Sequence, residues 1–128
     1  MENTIQVGAS IIVDEDAYRE TPPERTDIVL YRDPRPGAAA DTLFVKRIIG
    51  LGGEVLEIRD SKVMIDGVAL AEPYLKPGSQ MPIYGPELIP PGHFFVMGDN
   101  RKLSLDSRRV GPIPDALILG KVVQISNP

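Results

Sequence analysis

The sequence predicts a mainly β fold in which antiparallel strands form a barrel-like body. Its 128 residues include 12 glycines and 13 prolines, and this frequency of turn-forming residues is typical of chains with many short strands. Runs rich in valine and isoleucine lie between the turns, as expected for strands with at least one buried face. A chain of this length can bury a core without disulfides or metals, so we expect one domain with little helix.

The predicted strands follow one another along the chain, and turn residues separate them. They cover residues 10–13, 27–32, 43–49, 54–59, 62–65, 68–70, 93–97 and 119–126. The segment 43–49 has the strongest strand pattern, and Gly50, Gly52 and Gly53 are expected to form the turn after it. Asp66-Gly67 suits a two-residue type I′ turn and therefore predicts a hairpin.

One segment departs from this regular spacing. Six prolines lie between Glu72 and Gly92, and each proline fixes φ and removes a backbone donor. We therefore expect a small irregular insertion at about residues 72–92. No internal repeat and no second domain are visible, so residues 1–128 are assigned to a single domain.

Composition argues against several classes of function. The chain has no cysteine and one histidine, His93, so thiolate and histidine metal sites are not expected. The net charge of −4 and the pI near 4.9 disfavour a nucleic-acid partner. No apolar run approaches the roughly 20 residues that a membrane helix needs, so the chain as printed is expected to be soluble.

Lys46 is a candidate general base within the strongest predicted strand. Side chains alternate along a strand, so Phe44, Lys46 and Ile48 share one face, and the ammonium lies between two apolar groups. Burial disfavours the charged form, and it can lower a lysine pKa from about 10.4 to about 7 or 8, where a neutral amine acts as a base. On the strand pattern alone, the more common alternative is a lysine at a strand edge that extends its amine to water.

A second candidate site follows the strand 93–97. The motif loop, residues 98–108, has the sequence G-D-N-R-K-L-S-L-D-S-R and brings hydroxyl and charged side chains together directly after an apolar run. Its charged residues are predicted to form two ion pairs that fix the loop: Asp99, Arg101, Asp106 and Arg108. Ser104 is then left to face another group, although outside this context it would be an ordinary turn hydroxyl.

These strings resemble the sequence boxes of type I signal peptidases, which are membrane-anchored serine proteases with a lysine base. The motif loop resembles the family's box G-D-N-R-x-x-S-x-D-S-R. Residues 44–54 are similar to the box Y-V-K-R-x-x-G-x-P-G-D, which carries the lysine base. Residues 27–31 resemble a third box, R-G-D-I-V-V-F, so the resemblance covers nearly the whole chain.

The resemblance implies a role for each candidate residue. Lys46 would be the general base, Ser104 would orient it through a hydrogen bond, and the four charged residues of the motif loop would be structural. Substrate would be bound beside the catalytic centre by Met1, Ile5, Phe44 and Val45. The implied fold is the one that signal peptidases share with self-cleaving repressor peptidases, and no metal or cofactor is implied.

The family's nucleophile lies in the string S-M-x-P-T-L, which matches the start of this chain. Met1, Thr4 and Ile5 fall on the family's Met, Thr and Leu, and Asn3 replaces its proline. The nucleophilic serine would therefore immediately precede Met1, and we expect the chain as printed to be inactive as a protease. The simplest explanation is a domain separated from its membrane helix and serine, and the alternative is a natural homologue that never had them.

The implied function is the removal of signal peptides from exported preproteins by a Ser–Lys dyad. A missing N-terminal anchor would hold the protein in the cell membrane, with the catalytic domain on the extracytoplasmic side. Two alternatives remain open: a cytosolic self-cleaving repressor-type peptidase with the same dyad, and a non-catalytic homologue that binds peptides or partners. The sequence upstream of Met1 would separate them, because only the anchored form needs about 20 apolar residues there.

Overall fold

Short strands account for nearly all of the regular structure. The computed structural model describes residues 1–128. In chain order the elements are β1 (Ser10–Asp14), β2 (Ile28–Arg32), β3 (Leu43–Leu51), β4 (Val55–Arg59), β5 (Lys62–Ile65), β6 (Val68–Ala69), β7 (Tyr84–Leu88), β8 (His93–Met97), α1 (Ser107–Val110), β9 (Ile113–Pro114), a 3₁₀ turn (Asp115–Leu117) and β10 (Ile118–Ser126). Each predicted strand is present with its ends shifted by two residues or fewer. No helix is long and apolar enough to cross a membrane.

The strands pair antiparallel and form two sheets. The larger sheet has the order β1-β10-β2-β3-β8-β9, and the smaller has the order β6-β5-β4-β7. The predicted mainly β, antiparallel fold is therefore confirmed, but no closed barrel is found. The larger sheet ends at β1 and at the two-residue β9, each of which pairs on one side only, so the sheet stays open.

β3 faces two hydrophobic clusters, one on each side of the sheet. Because side chains alternate along a strand, Ile48 and Ile49 point to opposite faces. The first cluster contains Val29, Tyr31, Ile48, Phe94, Val96 and Ile113. The second cluster contains Ile49, Leu56, Ile58, Val63, Met81, Ile89, Phe95 and Met97. Phe44 packs against the first cluster, so the face of β3 that carries Lys46 is apolar on both sides of the lysine, as the alternation predicts.

Gly50 belongs to β3 and not to the turn that the sequence predicts there. A side chain at this position would collide with Ile89 Cδ1, and its Cβ would lie 3.2 Å from Phe95 Cβ. The lack of a side chain therefore lets the second cluster pack directly against the strand. The turn itself begins after Leu51 and includes Gly52 and Gly53.

The Pro-rich segment contains a strand, which corrects the expectation that all of residues 72–92 are irregular. β7 pairs with β4, with Glu87 opposite Leu56 and Tyr84 opposite Ile58, so β7 has one extra residue in a bulge next to Pro86. β7 also lies at the edge of the smaller sheet, where a proline leaves no ladder hydrogen bond unmade on its outer side. Residues 72–83 form no strand or helix, as predicted.

Candidate active site

Lys46 occupies an interior strand of the larger sheet. It pairs with buried Val29 of β2, and its side chain is half-buried. On its other side, the pairing of β3 with β8 ends at Arg47 and Met97. The motif loop therefore begins beside the lysine, at Gly98. Lys46 lies well inside β3 and is half-buried, which differs from the alternative of a lysine at a strand edge that extends its amine to water.

The surroundings of Lys46 favour its neutral form. Burial lowers the pKa of Lys46 below its ordinary value, and the positive charge of Arg108 acts in the same direction. The carboxylates of Asp106 and Asp99 oppose this shift and do not outweigh it. A larger fraction of Lys46 is therefore unprotonated at a given pH than for a lysine in water.

Gly98 brings Ser104 and Lys46 to one place. Its backbone N–H donates to Ser104 Oγ over 3.0 Å. A Cβ added to Gly98 would collide with Ser104 Oγ and would lie 3.4 Å from Lys46 Nζ, so both side chains approach the same side of the glycine. No hydrogen bond joins Lys46 Nζ to Ser104 Oγ, and the orienting role of Ser104 therefore stays a prediction.

Asp106 and Arg108 form one of the two predicted ion pairs, with Arg108 Nη2 2.8 Å from Asp106 Oδ2. Asp106 also accepts from the backbone N–H of Gly98 over 3.0 Å and caps the helix α1. Burial acts to raise the pKa of Asp106, but hydrogen bonds from Arg108 and Ser104 outweigh it, and the net pKa is lowered. The carboxylate therefore stays ionised while it fixes the loop around Ser104.

The second predicted pair within the motif loop is wrong, because each member has a partner outside the loop. Asp99 accepts two hydrogen bonds from Arg47 of β3, at 2.9 and 2.7 Å. Arg101 is turned into the interior, where its guanidinium pairs with the buried carboxylate of Glu72 and its Nε donates to Gly98 O over 2.9 Å. These contacts join the motif loop to β3 and to the Pro-rich segment.

The first residues of the chain are held against the motif loop. Asn3 Nδ2 donates to the backbone oxygen of Asp99 over 2.9 Å, and Thr4 Oγ1 donates to the Asp99 carboxylate. The pKa of the Met1 amino group is lowered, first by burial and then by the positive charge of Lys46. Met1 is half-buried, and its Sδ accepts a hydrogen bond from the Asp99 N–H over 3.3 Å.

The residues predicted to bind substrate do not all lie on the same side of β3 as Lys46. Phe44 lies on the Lys46 face of β3 and stacks on Tyr31, with the ring centroids 5.9 Å apart. Val45 points to the opposite face by the alternation of the strand. Ile5 is half-buried and closes a turn through its backbone N–H, which donates to Met1 O over 2.7 Å. Substrate binding by these residues stays a prediction.

Several residues that build the site were not singled out by the sequence. They are Asn3, Arg47, Glu72 and Gly98. Arg47 adjoins the lysine and Gly98 opens the motif loop, so both lie within strings that the resemblance covers. The contact of Arg47 with Asp99 and the approach of Gly98 to Lys46 are long-range, and no local signal indicates them. No group of three or more His, Cys, Asp or Glu side chains is placed to hold a metal ion.

Comparison with known proteins gives one consistent family. The family described as "Signal peptidase, peptidase S26" matches residues 1–126. Signal peptidase I V of Bacillus subtilis (strain 168) is 34% identical over 135 residues, which cover 95% of this chain and 77% of that protein. Signal peptidase I of Leptolyngbya laminosa is 35% identical over 126 residues, which cover 94% of this chain. The chain spans 61% of the length of that relative.

A solved structure also resembles this fold. The crystal structure of a signal peptidase I from Enterococcus faecalis V583 superposes with a TM-score of 0.67 at 33% sequence identity. The match covers 81% of this chain and 98% of that chain. Similarity in sequence and similarity in structure therefore point to the same group of proteins.

Proposed function

The chain belongs to the signal peptidase family, peptidase S26, and we propose that it forms the catalytic domain of a signal peptidase I that removes signal peptides from exported proteins. The observation that carries the proposal is that the half-buried amine of Lys46 and the hydroxyl of Ser104 meet on one side of Gly98. Met1 is held next to them, because the backbone N–H of Asp99 donates to Met1 Sδ over 3.3 Å. A serine joined to the Met1 nitrogen by a peptide bond would therefore be the neighbour of a residue that is held at this site.

In the proposed reaction, the serine that would precede Met1 attacks the carbonyl carbon of the scissile peptide bond. Neutral Lys46 accepts the hydroxyl proton as the new C–O bond forms, and the backbone N–H at the nucleophile stabilises the oxyanion. The Lys46 ammonium then donates this proton to the leaving amine as the C–N bond breaks. A water molecule hydrolyses the acyl-enzyme in the same way: Lys46 takes a proton from the water and returns it to the serine oxygen.

Ser104 is proposed as a positioning residue for Lys46. A lysine has four side-chain torsions, so a base on this stem needs a fixed neighbour to point it at one hydroxyl. Ser104 is itself held by Gly98 N–H and by the ionised Asp106, which is neutralised by Arg108. This pairing also limits how far the Asp106 charge can favour the protonated lysine.

The substrate and the cellular location belong to the proposal as well. Signal peptides of exported preproteins would be the substrates, and an anchor preceding the nucleophile would hold the domain on the extracytoplasmic side of the cell membrane. The family match favours this role over a cytosolic self-cleaving repressor peptidase. A non-catalytic relative that had lost a working base would stay inactive even when a serine is supplied before Met1, and the experiment below tests that case.

The test compares the chain as printed with an extended chain that carries a serine directly before Met1, behind a short glycine leader. Both are incubated with a peptide that contains an A-x-A signal-peptide cleavage site. We expect cleavage only by the serine-extended chain, no cleavage when that serine is alanine, and no cleavage by the extended Lys46→Ala variant. Lys62→Ala, at an exposed lysine of β5, is the control and should keep full activity.

Two outcomes would contradict the proposal. The first is a serine-extended chain that is no more active than its alanine counterpart. The second is a Lys46→Ala variant that cleaves as fast as the Lys62→Ala control.

A further inference from the structure

A groove beside Ser104 takes no part in the proposed reaction. Its volume is about 660 Å³, and it runs along the motif loop, with Leu103, Ser104, Leu105 and Tyr84 in its lining. None of the residues assigned to the signal-peptide half of the substrate lines it: Met1, Ile5, Phe44 and Val45. The groove therefore borders the candidate site at Ser104 and is separate from the residues assigned to the signal-peptide half.

Two cations in the groove wall have no partner. Lys102 and Arg109 are exposed, and neither side chain makes an ion pair or a hydrogen bond. The carboxylates that contact other lining residues are already engaged: Glu72 with Arg101, Asp106 with Arg108, and Glu87 with the Tyr84 hydroxyl. The groove thus carries uncompensated positive charge, in a chain whose net charge is −4.

Exposed aliphatic side chains lie beside these cations. Ile83 is 84% exposed and Leu103 is 75% exposed, and both line the groove. Aliphatic surface next to unpaired cations suits a peptide that contains Asp or Glu. Their carboxylates can pair with the cations while their methylene groups contact the aliphatic surface. The backbone of an extended peptide can also form hydrogen bonds with the groove wall, and every second side chain then points into the groove.

We propose that this groove, called the mature-side groove below, binds the residues that follow the scissile bond and selects Asp or Glu among the first of them through Lys102 and Arg109. The inference rests on the proposed function, because it takes Ser104 as the neighbour of the catalytic lysine. A peptide that enters along Phe44 and Met1 and passes the lysine leaves on a different side. The mature-side groove is the cavity that borders Ser104 there.

Exposed aliphatic and basic side chains are also typical of surfaces that contact anionic lipids. The peptide is favoured here because Lys102 and Arg109 line a concave groove that opens next to Ser104. A lipid surface would instead be met by side chains on a convex face. The lipid alternative is therefore one outcome of the test.

The test measures kcat/KM of the serine-extended chain on three peptides that are identical up to the scissile bond. They carry Glu, Gln or Lys at the second and third positions after it. We expect the Glu peptide to be cleaved about tenfold faster than the Lys peptide, with Gln between them, because two exposed charge contacts each change binding by a few-fold. The difference should shrink at 1 M salt, where the Debye length falls to about 3 Å.

Charge-reversal variants identify the residues responsible. Lys102→Glu and Arg109→Glu should each reduce the preference for the Glu peptide, and the double variant should reverse it. Lys62→Glu makes the same charge change outside the groove and should leave the preference intact. Equal cleavage of the three peptides, or an unchanged preference in the double variant, overturns the proposal.

A binding measurement separates this inference from the proposed function. Fluorescent peptides that contain only the mature half are titrated with the chain as printed, and their anisotropy is recorded. Binding alone is measured, so no nucleophile is needed. If no peptide is cleaved but the Glu peptide still binds more tightly than the Lys peptide, and the double variant removes this difference, the groove is supported and the proposed protease activity is not. If the double variant weakens binding to phosphatidylglycerol vesicles but leaves peptide discrimination unchanged, the groove is a lipid contact and the proposal is wrong.

Discussion

The backbone N–H of Gly98 donates to Ser104 Oγ over 3.0 Å, and no side chain fits between these two residues. The same glycine leaves Lys46 Nζ room to approach the serine. A residue without chemistry of its own therefore determines the distance between the two side chains on which the proposed mechanism depends.

We expect Gly98→Ala in the serine-extended chain to lower kcat about 100-fold, the cost of displacing a reacting group by about 1 Å. KM should change little, because the groups that bind substrate stay in place. Gly120→Ala is the control: its Cβ would lie 2.6 Å from Val13 Cγ1, so it also strains the larger sheet, but away from Lys46. Steady-state kinetics and thermal unfolding of both variants check this. Equal kcat values in the two variants would refute the role of Gly98.

The acidic limb of the pH–rate profile should follow the ionisation of Lys46. Because burial lowers the pKa of Lys46, kcat/KM of the serine-extended chain should rise with pH and level off below the ordinary pKa of lysine, about 10.4. Arg108 disfavours the protonated amine, so Arg108→Gln should move this limb to higher pH. Asp106→Asn should move it to lower pH, because the Asp106 carboxylate favours protonation. Shifts of both variants in the same direction would contradict this account, whatever the change in overall rate.

The buried pair of Arg101 and Glu72 should make a large contribution to stability when only one partner is removed. The side chains are 0% and 5% exposed, so Arg101→Met leaves the buried carboxylate of Glu72 without a counter-ion, with only the hydrogen bond from the Tyr74 hydroxyl, and should cost about 3–5 kcal/mol. The double variant Arg101→Met/Glu72→Leu should cost less than Arg101→Met alone, since no unpaired charge remains. Urea unfolding measures these differences. Arg59→Met removes a pair whose arginine is 54% exposed and should cost at most about 1 kcal/mol. Similar losses in the free energy of unfolding for Arg101→Met and Arg59→Met would contradict the larger contribution assigned to the buried pair.

Thr4 should matter for catalysis through its contact with Asp99, which holds the start of the chain against the motif loop. In the serine-extended chain, Thr4→Val keeps the side-chain shape but removes the hydroxyl, and we expect kcat to fall about tenfold, as for the loss of a hydrogen bond to a charged group. Thr4→Ser retains the hydroxyl and should restore most of the activity. Thr21→Val changes an exposed threonine and should have no effect. A Thr4→Ser variant as slow as Thr4→Val would show that packing, and not the hydrogen bond, is responsible.

The residue before the scissile bond should be small. Phe44 stacks on Tyr31 and is held in place, so a pocket bounded by Phe44 and Met1 would be shallow and apolar. We expect the serine-extended chain to cleave peptides with Ala before the bond and to reject Leu and Phe, in agreement with the A-x-A pattern of signal-peptide sites. Comparable rates for the Ala and Phe peptides would exclude this pocket without affecting the assignment of Lys46.

Local patterns were sufficient to predict all strands except β7 and the two-residue β9, and to place Lys46 within β3. Val- and Ile-rich runs between glycines and prolines identify strands because both signals act over a few residues. The alternation that places Phe44, Lys46 and Ile48 on one face is a property of any strand. The pair of Asp106 and Arg108 was likewise accessible, since its members lie two residues apart.

Contacts across the fold were not predictable in the same way. Asp99 is 52 residues from Arg47, and Arg101 is 29 residues from Glu72, so neither pairing has a local signal. The strand β7 was missed because the density of prolines outweighed the strand pattern, although a bulge at the sheet edge accommodates Pro86. Whether the sheet closes into a barrel depends on the partners of its outermost strands, which composition does not specify.

Ile48 and Ile49 have identical side chains on opposite faces of β3, so hydrophobic burial alone distinguishes poorly between two alignments of this strand that differ by one residue. Gly50 removes the ambiguity. A shift in either direction would bring Ile49 or Leu51 against Ile89, where even a Cβ would collide with Ile89 Cδ1 and a larger side chain would have to displace it. The same shift would turn the Lys46 amine away from Gly98. Gly50, which lies four residues from the lysine and packs against the second cluster, therefore fixes the register of β3 that places the Lys46 amine beside Gly98.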